Sequence, residues 1–343
     1  MATFIIAEAG VNHNGDDARA LELVEVAAAA GADAIKFQTF SADRLTRRGA
    51  AKAEYQIRAT GEGDQYDMLK ALEMSEALHH KLLARCAALG IEFMSTAFDE
   101  QSLDMLISMG IKRIKIPSGE LTNTPFLRHM ATKDLPLIMS TGMASLDEVL
   151  EAVEVVREQR RVSGLVRPLP EMLTILHCTS NYPTAAADVN LRAMLTLGRE
   201  TGLPIGYSDH TLGISVPTAA VGMGATMIEK HFTLSKSLPG PDHAASLEPD
   251  ELTELVSAIR TIDAALGDGI KAPTDSEKSV RALVRRSVTL VRDVAKGQNL
   301  TAEAVALMRP GTGIEPKHLQ DIYGRVAARD LSSGETLEWS DLQ

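Results

Sequence analysis

Residues 18–40 read ARALELVEVAAAAGADAIKFQTF, a helix-like stretch that leads into a short β-rich run. Apolar residues recur at helical spacing in the first part, whereas AIKFQTF at 34–40 has the length of one strand. Repeated strand–helix alternation is typical of a (β/α)₈ TIM barrel, an α/β fold, and its rival is an open doubly wound sheet. No GxGxxG motif follows any run, so nothing indicates a dinucleotide crevice. The eight predicted strands are 4–10, 34–40, 92–98, 113–119, 137–143, 174–180, 204–210 and 227–233.

Each predicted strand begins with apolar residues and ends with polar ones. The carboxyl ends of barrel strands form the rim on which barrel enzymes build their active sites. A purely structural barrel would not need polar residues at all eight ends, so this pattern predicts an enzyme. The chemically informative residues at these ends are Glu8, Lys36, Gln38, Thr96, Lys115, Ser118, Ser140, His177, Ser180, Ser208, His210, Glu229 and His231.

The composition is that of a globular protein with a sizeable core. The chain has 343 residues, 45% of them hydrophobic, and a formal net charge of −11, which argues against nucleic acid as a partner. Its two cysteines, Cys86 and Cys178, have neither metal-like nor disulfide-like spacing, and we expect two buried thiols. We see no signal-like start and no apolar run of membrane-spanning length, and we expect a cytoplasmic protein.

The pattern changes after the eighth strand–helix unit. We assign residues 1–266 to the barrel, 267–284 to a linker and 285–343 to a small second domain. Within the last region, Arg292-Asp293-Val294 matches Arg329-Asp330-Leu331 at an offset of 37 residues. This repeat predicts a pseudo-symmetric domain of short strands and turns. Separately, residues 41–75 form a long interval after the second strand, which predicts a lid or a binding element on the catalytic face.

Two histidines, His210 and His231, end neighbouring predicted strands. Imidazoles at adjacent positions of a rim can share one ion, and two of them with open coordination positions suit Mn²⁺, Fe²⁺, Co²⁺ or Zn²⁺. The alternative is a pair of hydrogen-bonding histidines. His177 and His243 are weaker candidates, and His13, which follows the first strand, could be a cap or a contact.

Two lysines, Lys36 and Lys115, end strands among small hydroxyl residues. Buried ammonium groups are costly unless an anion neutralises them, so this cluster predicts a pocket for a small phosphate ester. A Schiff-base lysine is the rival chemistry. Glu8 and Glu229, on the first and eighth strands, could move a proton, hold a substrate hydroxyl or pair with the lysines. The turn Gly240-Pro241-Asp242 would direct Asp242 over the site or form a plain surface turn.

The segments AEAGVNHNG, AIKFQTF, STAFD, KIPSGE, STGM, HCTSNYP, GYSDHT, EKHFT and GPDHAASLEP together resemble the bacterial and animal sialic acid synthases. The C-terminal repeat with MRPGTG resembles their antifreeze-like SAF (β-clip) domain, and the resemblance covers essentially the whole chain. It implies a metal-dependent, C–C bond-forming transferase that joins phosphoenolpyruvate to an N-acylated hexosamine. The implied ion at His210 and His231 is Mn²⁺, with Mg²⁺ or Co²⁺ as alternatives.

The resemblance also implies roles for individual residues. Glu8 is similar to the family's catalytic carboxylate, and Glu229 is the second catalytic candidate. Some members have Asn where this chain has Ser180, a shorter donor. Arg309 matches an arginine that meets the sugar's N-acyl group from the partner subunit, which implies a domain-swapped homodimer. The phosphoenolpyruvate contacts would be Lys36, Thr96, Lys115, Ser118, Ser140, Ser180 and Ser208, and the sugar contacts Gln38, Tyr182, Asp242 and Arg309.

The identity of the sugar stays open between two acceptors. Our first expectation is N-acetylmannosamine, giving N-acetylneuraminic acid. The alternative is a 2,4-diacetamido-2,4,6-trideoxyhexose, giving N,N'-diacetyllegionaminic or pseudaminic acid. A different class, a non-catalytic carbohydrate- or ice-binding protein that uses the SAF-like domain, is disfavoured by the polar rims and the histidine pair.

Overall fold

The computed structural model describes residues 2–343, and the chain divides into two compact units between Gly267 and Asp268. The first unit is a closed barrel of eight parallel strands in sequence order, and β1 pairs with β8 to close it. The (β/α)₈ prediction is therefore confirmed. The strands are β1 (Phe4–Gly10), β2 (Ala34–Thr39), β3 (Glu92–Ala97), β4 (Ile114–Ile116), β5 (Leu137–Ser140), β6 (Leu173–Cys178), β7 (Ile205–Asp209) and β8 (Met227–His231).

The helices of the first unit begin and end at recognisable signals. Ser145 caps one of them in a capping box, in which Glu148 Oε2 accepts from the Ser145 N–H at 2.7 Å. Gly90 ends another in the left-handed conformation. The helices are α1 (Asp17–Ala29), α2 (Ala42–Leu45), α3 (Glu54–Thr60), α4 (Gln65–Lys70), α5 (Glu76–Leu89), α6 (Glu100–Ser108), α7 (Thr124–Ala131), α8 (Leu146–Val162), α9 (Leu169–Met172), α10 (Arg192–Thr201), α11 (Ser215–Gly222) and α12 (Pro249–Leu266).

Two apolar layers stabilise the barrel, one outside its strands and one inside them. The larger layer lies between the strands and the surrounding helices. The smaller one fills the barrel interior and includes Ile6, Met94, Ile138 and Leu176. Because strand residues alternate between the two faces of a sheet, the next inward-facing positions along the strands lie above this apolar plug. Those positions are the polar strand ends that the sequence singles out.

The second unit has its own core. A two-stranded antiparallel sheet pairs β9 (Ser287–Leu290) with β10 (Val305–Met308), and α14 (Leu319–Ile322) follows. The two copies of the sequence repeat pair with each other within this unit. Val294 and Leu331, which occupy equivalent positions of the repeat, exchange backbone hydrogen bonds of 2.9 Å. The segment 267–284 is not wholly irregular as a linker would be, since α13 (Asp275–Val284) forms within it. Thr274 and Glu277 cap that helix.

Candidate active site

A cavity of about 510 Å³ lies at the carboxyl ends of the barrel strands. Its floor is formed by strand residues and its mouth by the loops that follow the strands. Side chains two positions apart along a strand point to the same face of the sheet. Ser208 and His210 at the end of β7 therefore both face the cavity, and so do Glu229 and His231 of β8. The predicted site residues that line it are Glu8, Lys36, Gln38, Thr96, Lys115, Ser118, Ser140, Ser180, Tyr182, Ser208, His210, Glu229, His231 and Asp242.

Two buried lysines and two buried glutamates form the charged floor of the cavity. Lys36 Nζ lies 2.6 Å from Glu8 Oε2 and 3.7 Å from Glu229 Oε2. Lys115 Nζ lies 3.5 Å from Glu229 Oε1 and donates to Ser140 Oγ at 2.7 Å. All four charged side chains are less than 10% exposed. The glutamates thus offset only part of the charge of the lysines, whose ammonium groups lie at the bottom of a polar cavity.

The two carboxyl groups differ in their protonation. Burial, opposed in part by Lys36, raises the pKa of Glu8 to about 7. Burial also acts to raise the pKa of Glu229, but Lys115, Lys36 and the Ser208 hydroxyl outweigh it and lower that pKa to about 2. Divergent pKa values of neighbouring carboxyl groups separate acid–base and electrostatic roles. Glu8 can therefore exchange a proton near neutral pH, while Glu229 stays ionised and accepts from Ser208 Oγ at 2.9 Å.

Several hydroxyl groups converge beside Lys115. Ser118 Oγ accepts from the Gly142 N–H at 2.9 Å, and both Ser118 and Ser180 lie where a Cβ on residue 142 would be. Burial lowers the pKa of Lys115, although Glu229 opposes this effect. Ammonium and hydroxyl donors at one end of a cavity form a suitable site for a small polyanion.

The two rim histidines are neighbours in the structure, with ring centroids 5.4 Å apart. His210 Nδ1 lies 2.7 Å from Thr179 O, so this nitrogen carries a proton and Nε2 is the nitrogen available to an ion. Among residues 2–343, His231 Nδ1 is buried and finds no hydrogen-bond partner. Burial, reinforced by the charges of His210 and Lys36, holds the pKa of His231 well below its usual range, which keeps that imidazole in its neutral, ligand form.

These features fit a two-histidine ligand pair for a divalent ion, with substrate or water in the other positions. Across residues 2–343, no group of three or more His, Cys, Asp or Glu side chains forms a metal-binding cluster. An ion held by the histidine pair alone would keep open coordination positions, as in a catalytic site.

The remaining histidine candidates do not line the cavity. His177 Nε2 lies 2.6 Å from Val189 O, and His243 contacts Thr233 and Asn14. His13 Nδ1 accepts from the Gly15 N–H. Arg309 belongs to the second unit, directly after β10.

The structure adds cavity residues that sequence reasoning missed. Tyr55 and Gln56 on α3 line the mouth, and Cys178, one of two buried free thiols, lines the wall. Alternation along β6 could have found Cys178, because it lies two positions before Ser180. Nothing in the local pattern of residues 41–75 marks Tyr55, since its position depends on a contact with Tyr182 far along the chain.

Comparison with known proteins supports a single assignment for the whole chain. The NeuB family model matches residues 23–271, and the SAF domain model matches residues 285–343. The chain is 56% identical over 344 residues to an N,N'-diacetyllegionaminic acid synthase of Legionella pneumophila, covering 100% of this chain and 95% of that protein. It is 32% identical to the human N-acetylneuraminate-9-phosphate synthase, covering 97% of this chain and 91% of that protein.

A solved structure agrees with this fold. The N-acetylneuraminic acid synthetase of Leptospira borgpetersenii, crystallised in complex with citrate, superposes with a TM-score of 0.71 at 35% identity. The match covers 82% of this chain and 90% of that one. In the part of the chain that the structure describes, no helix is long and apolar enough to cross a membrane.

Proposed function

The chain belongs to the NeuB family of synthases and carries a SAF domain, and on that premise we propose that it condenses phosphoenolpyruvate with a 2,4-diacetamido-2,4,6-trideoxyhexose to give N,N'-diacetyllegionaminic acid. The observation that carries this proposal is the single cavity in which a buried lysine pair, a hydroxyl cluster and a histidine pair lie together. We propose this acceptor, the alternative in our sequence analysis, ahead of our first expectation of N-acetylmannosamine, because the similarity to a legionaminic acid synthase is much higher than that to the human enzyme.

The charged floor would bind phosphoenolpyruvate. Lys36 and Lys115 supply positive charge, and Thr96, which accepts from Lys36 Nζ at 3.0 Å, lies at the same end of the cavity. Ser118, Ser140, Ser180 and Ser208 would donate to carboxylate or phosphate oxygens. Preorganised donors of this kind hold the reactive C3 carbon in position above the floor.

The acceptor sugar would lie nearer the mouth, against Gln38, Tyr182 and Asp242. His210 and His231 would hold a divalent ion, Mn²⁺ in our proposal, which supplies Lewis-acid polarisation of the open-chain aldehyde. C3 of phosphoenolpyruvate would form a bond to the aldehyde carbon, the aldehyde oxygen would take up a proton and become a hydroxyl group, and water would add at C2. The C–O bond to the phosphate then breaks, the hydroxyl group at C2 gives its remaining proton to the departing phosphate, and C2 becomes the ketone. Glu8 would take the proton that the attacking water loses, since its carboxyl group exchanges protons near neutral pH.

We further propose that each active site is completed by a second copy of the chain. Arg309 would reach the N-acyl group of the sugar from the partner's SAF domain in a domain-swapped homodimer. A guanidinium group offers a planar fork of donors, which suits a carbonyl oxygen.

The test is phosphate release by the purified protein with phosphoenolpyruvate and each sugar. We expect kcat/KM to be about tenfold or more higher with the diacetamido sugar than with N-acetylmannosamine. EDTA should abolish turnover and Mn²⁺ should restore it. Equal or better use of N-acetylmannosamine would refute the assignment of the sugar, and no phosphate release with either sugar would refute the condensation itself. Borohydride trapping of a lysine adduct would instead support a Schiff-base enzyme.

A further inference from the structure

The segment between β2 and α5 forms an ordered wall at the mouth of the cavity. Its three short helices, α2, α3 and α4, are joined to the barrel by a small apolar cluster. Leu45, Met68 and Leu69 of the segment pack in that cluster against Phe40 and Phe98, whose rings make an edge-on contact at 5.9 Å. These contacts hold both ends of the segment against the barrel.

Polar contacts inside the segment fix the position of α3. Tyr66 Oη donates to Asp43 Oδ1 at 2.6 Å, and Asp64 accepts from the Gly49 N–H at 2.6 Å. Lys52 Nζ donates to Gly61 O at 3.1 Å, so the residues on either side of α3 are tied together. The segment thus holds α3 in one position, as a wall that determines specificity requires.

Tyr55 of α3 reaches across the barrel mouth. Its ring stacks on that of Tyr182, with centroids 5.0 Å apart and planes inclined by 30°. Tyr182 follows β6, which lies opposite β2 in an eight-stranded barrel, so the stack joins loops from opposite sides. The Tyr182 ring in turn lies 4.0 Å from the ring of His210. Burial, together with the charge of Asp242, raises the pKa of Tyr55 to about 12, so the phenol stays neutral.

The mouth of the cavity differs chemically from its floor. The charged groups lie at the strand ends, whereas α3 and its neighbours contribute Ala53, Tyr55, Gln56 and Met68, which carry no charge. Gln56 Oε1 accepts from the Ala53 N–H at 3.0 Å, so its Nε2 group, which has two N–H donors and lies beside the Tyr55 phenol, is the part of the amide that can donate to a ligand. An aromatic ring beside an amide donor matches an acylamino group, whose methyl packs on the ring while its carbonyl accepts the hydrogen bond.

We infer that Tyr55 and Gln56 are specificity-determining residues that recognise the second acylamino group of the acceptor sugar, the one farther from the reacting aldehyde. This inference rests on the proposed function, because it assumes that the sugar aldehyde lies at the histidine pair. With the aldehyde there, the rest of the sugar chain extends toward the mouth and α3. A sugar with a hydroxyl group in place of that acylamino group would leave the Tyr55 ring and the Gln56 donor uncovered.

The test compares kcat/KM for the two sugars in matched variants. Tyr55→Ala should lower the value for the diacetamido sugar by about 10- to 100-fold, and that for N-acetylmannosamine by less than about threefold. Tyr55→Phe keeps the stacked ring and should stay within about threefold of the unmodified protein for both sugars. Gln56→Glu keeps the acceptor toward Ala53 and removes the donor, so it should lower only the value for the diacetamido sugar. Arg58→Ala, on the exposed side of the same helix, is the control.

The outcomes separate the inference from the function on which it rests. If the unmodified protein uses the diacetamido sugar and Tyr55→Ala lowers kcat/KM equally for both sugars, or for neither, the inference is wrong and the function stands. A loss in Tyr55→Phe as large as that in Tyr55→Ala also overturns it, because the ring would not be the determinant. An unmodified protein that turns over neither sugar refutes both. The KM for phosphoenolpyruvate should be unchanged in all variants, since the floor is untouched.

Discussion

Gly142 lies at the closest approach of backbone to side chains in the candidate active site. A Cβ at this position would lie 2.8 Å from Ser118 Oγ and would overlap Ser180 Oγ. Both hydroxyls belong to the end of the cavity that we assign to the anion. The absence of a side chain at residue 142 therefore allows two donors to converge on one small volume, which no larger residue would permit.

Gly142→Ala should disturb anion binding more than folding. We expect kcat/KM for phosphoenolpyruvate to fall by about 10- to 100-fold, mainly through KM, because small displacements of positioning groups are costly. The measurement is steady-state phosphate release over a range of phosphoenolpyruvate concentrations. Gly222→Ala on α11 is the matched control, since an added Cβ there meets nothing within 4 Å. A KM for Gly142→Ala equal to that of the control would show that the two hydroxyls do not bind the anion.

At the scale of elements, β7 and β8 are joined by a buried ion pair behind the active site. Asp209 and Lys230 face each other in the strand register, and Lys230 Nζ lies 2.6 Å from Asp209 Oδ2 with both side chains fully buried. Asp209 Oδ1 also accepts from Tyr207 Oη at 2.9 Å. Because neighbouring strand residues face opposite ways, the pair lies on the other face of the strands from His210 and His231.

Lys230→Met should destabilise the barrel strongly. Removal of one partner leaves a buried carboxylate without its counter-charge, and we expect the free energy of unfolding to fall by about 3–5 kcal/mol. Asp209→Asn in the same chain should restore part of that loss. Lys81→Met is the control, because the Lys81–Asp17 pair is more than half exposed and should contribute about 1 kcal/mol or less. Denaturant unfolding measures all of these, and equal effects at the two lysines would contradict the argument.

The strands and the short helices differ in how far the sequence could predict them. The eight strands were predictable because each is an apolar run that ends at polar residues, and the structure starts all eight within one residue of the predicted position. β4 is only three residues long because Pro117 follows it and a turn of 3₁₀ helix begins at Ser118. The helices α2, α3 and α4 are four to seven residues long, too short for a reliable periodic pattern, and contacts such as Tyr66–Asp43 position them.

At the scale of the whole molecule, the chain combines a barrel that holds almost all of the candidate site with a second unit that has a separate core. The charged floor was predictable because parallel strands bring their carboxyl ends to one rim. The Tyr55–Tyr182 stack was not, since it joins residues more than a hundred positions apart by packing alone. Arg309 remains the one predicted site residue outside the barrel, and its proposed role requires a second chain.

Mixing two inactive variants tests that role directly. Glu8→Gln chains would lack the carboxyl group in their barrel, and Arg309→Ala chains would lack the guanidinium in their SAF domain. If Arg309 acts in the partner's site, a mixed dimer regains one site that has both groups, and statistical mixing should restore about a quarter of the unmodified activity. If Arg309 acts within its own chain, every site in the mixture lacks one group and activity stays at the level of the separate variants.

The mixture must be formed by co-expression with two different affinity tags, so that mixed dimers can be isolated and counted. Mixed dimers of the Glu8→Gln/Arg309→Ala double variant with Glu8→Gln chains are the control, because no site in them recovers both groups. Recovery in the first mixture and none in the control would establish that two chains build each site. Isolated mixed dimers that show no recovery would place Arg309 outside the partner's site, and elution of the untagged, unmodified protein as a monomer would refute the dimer itself.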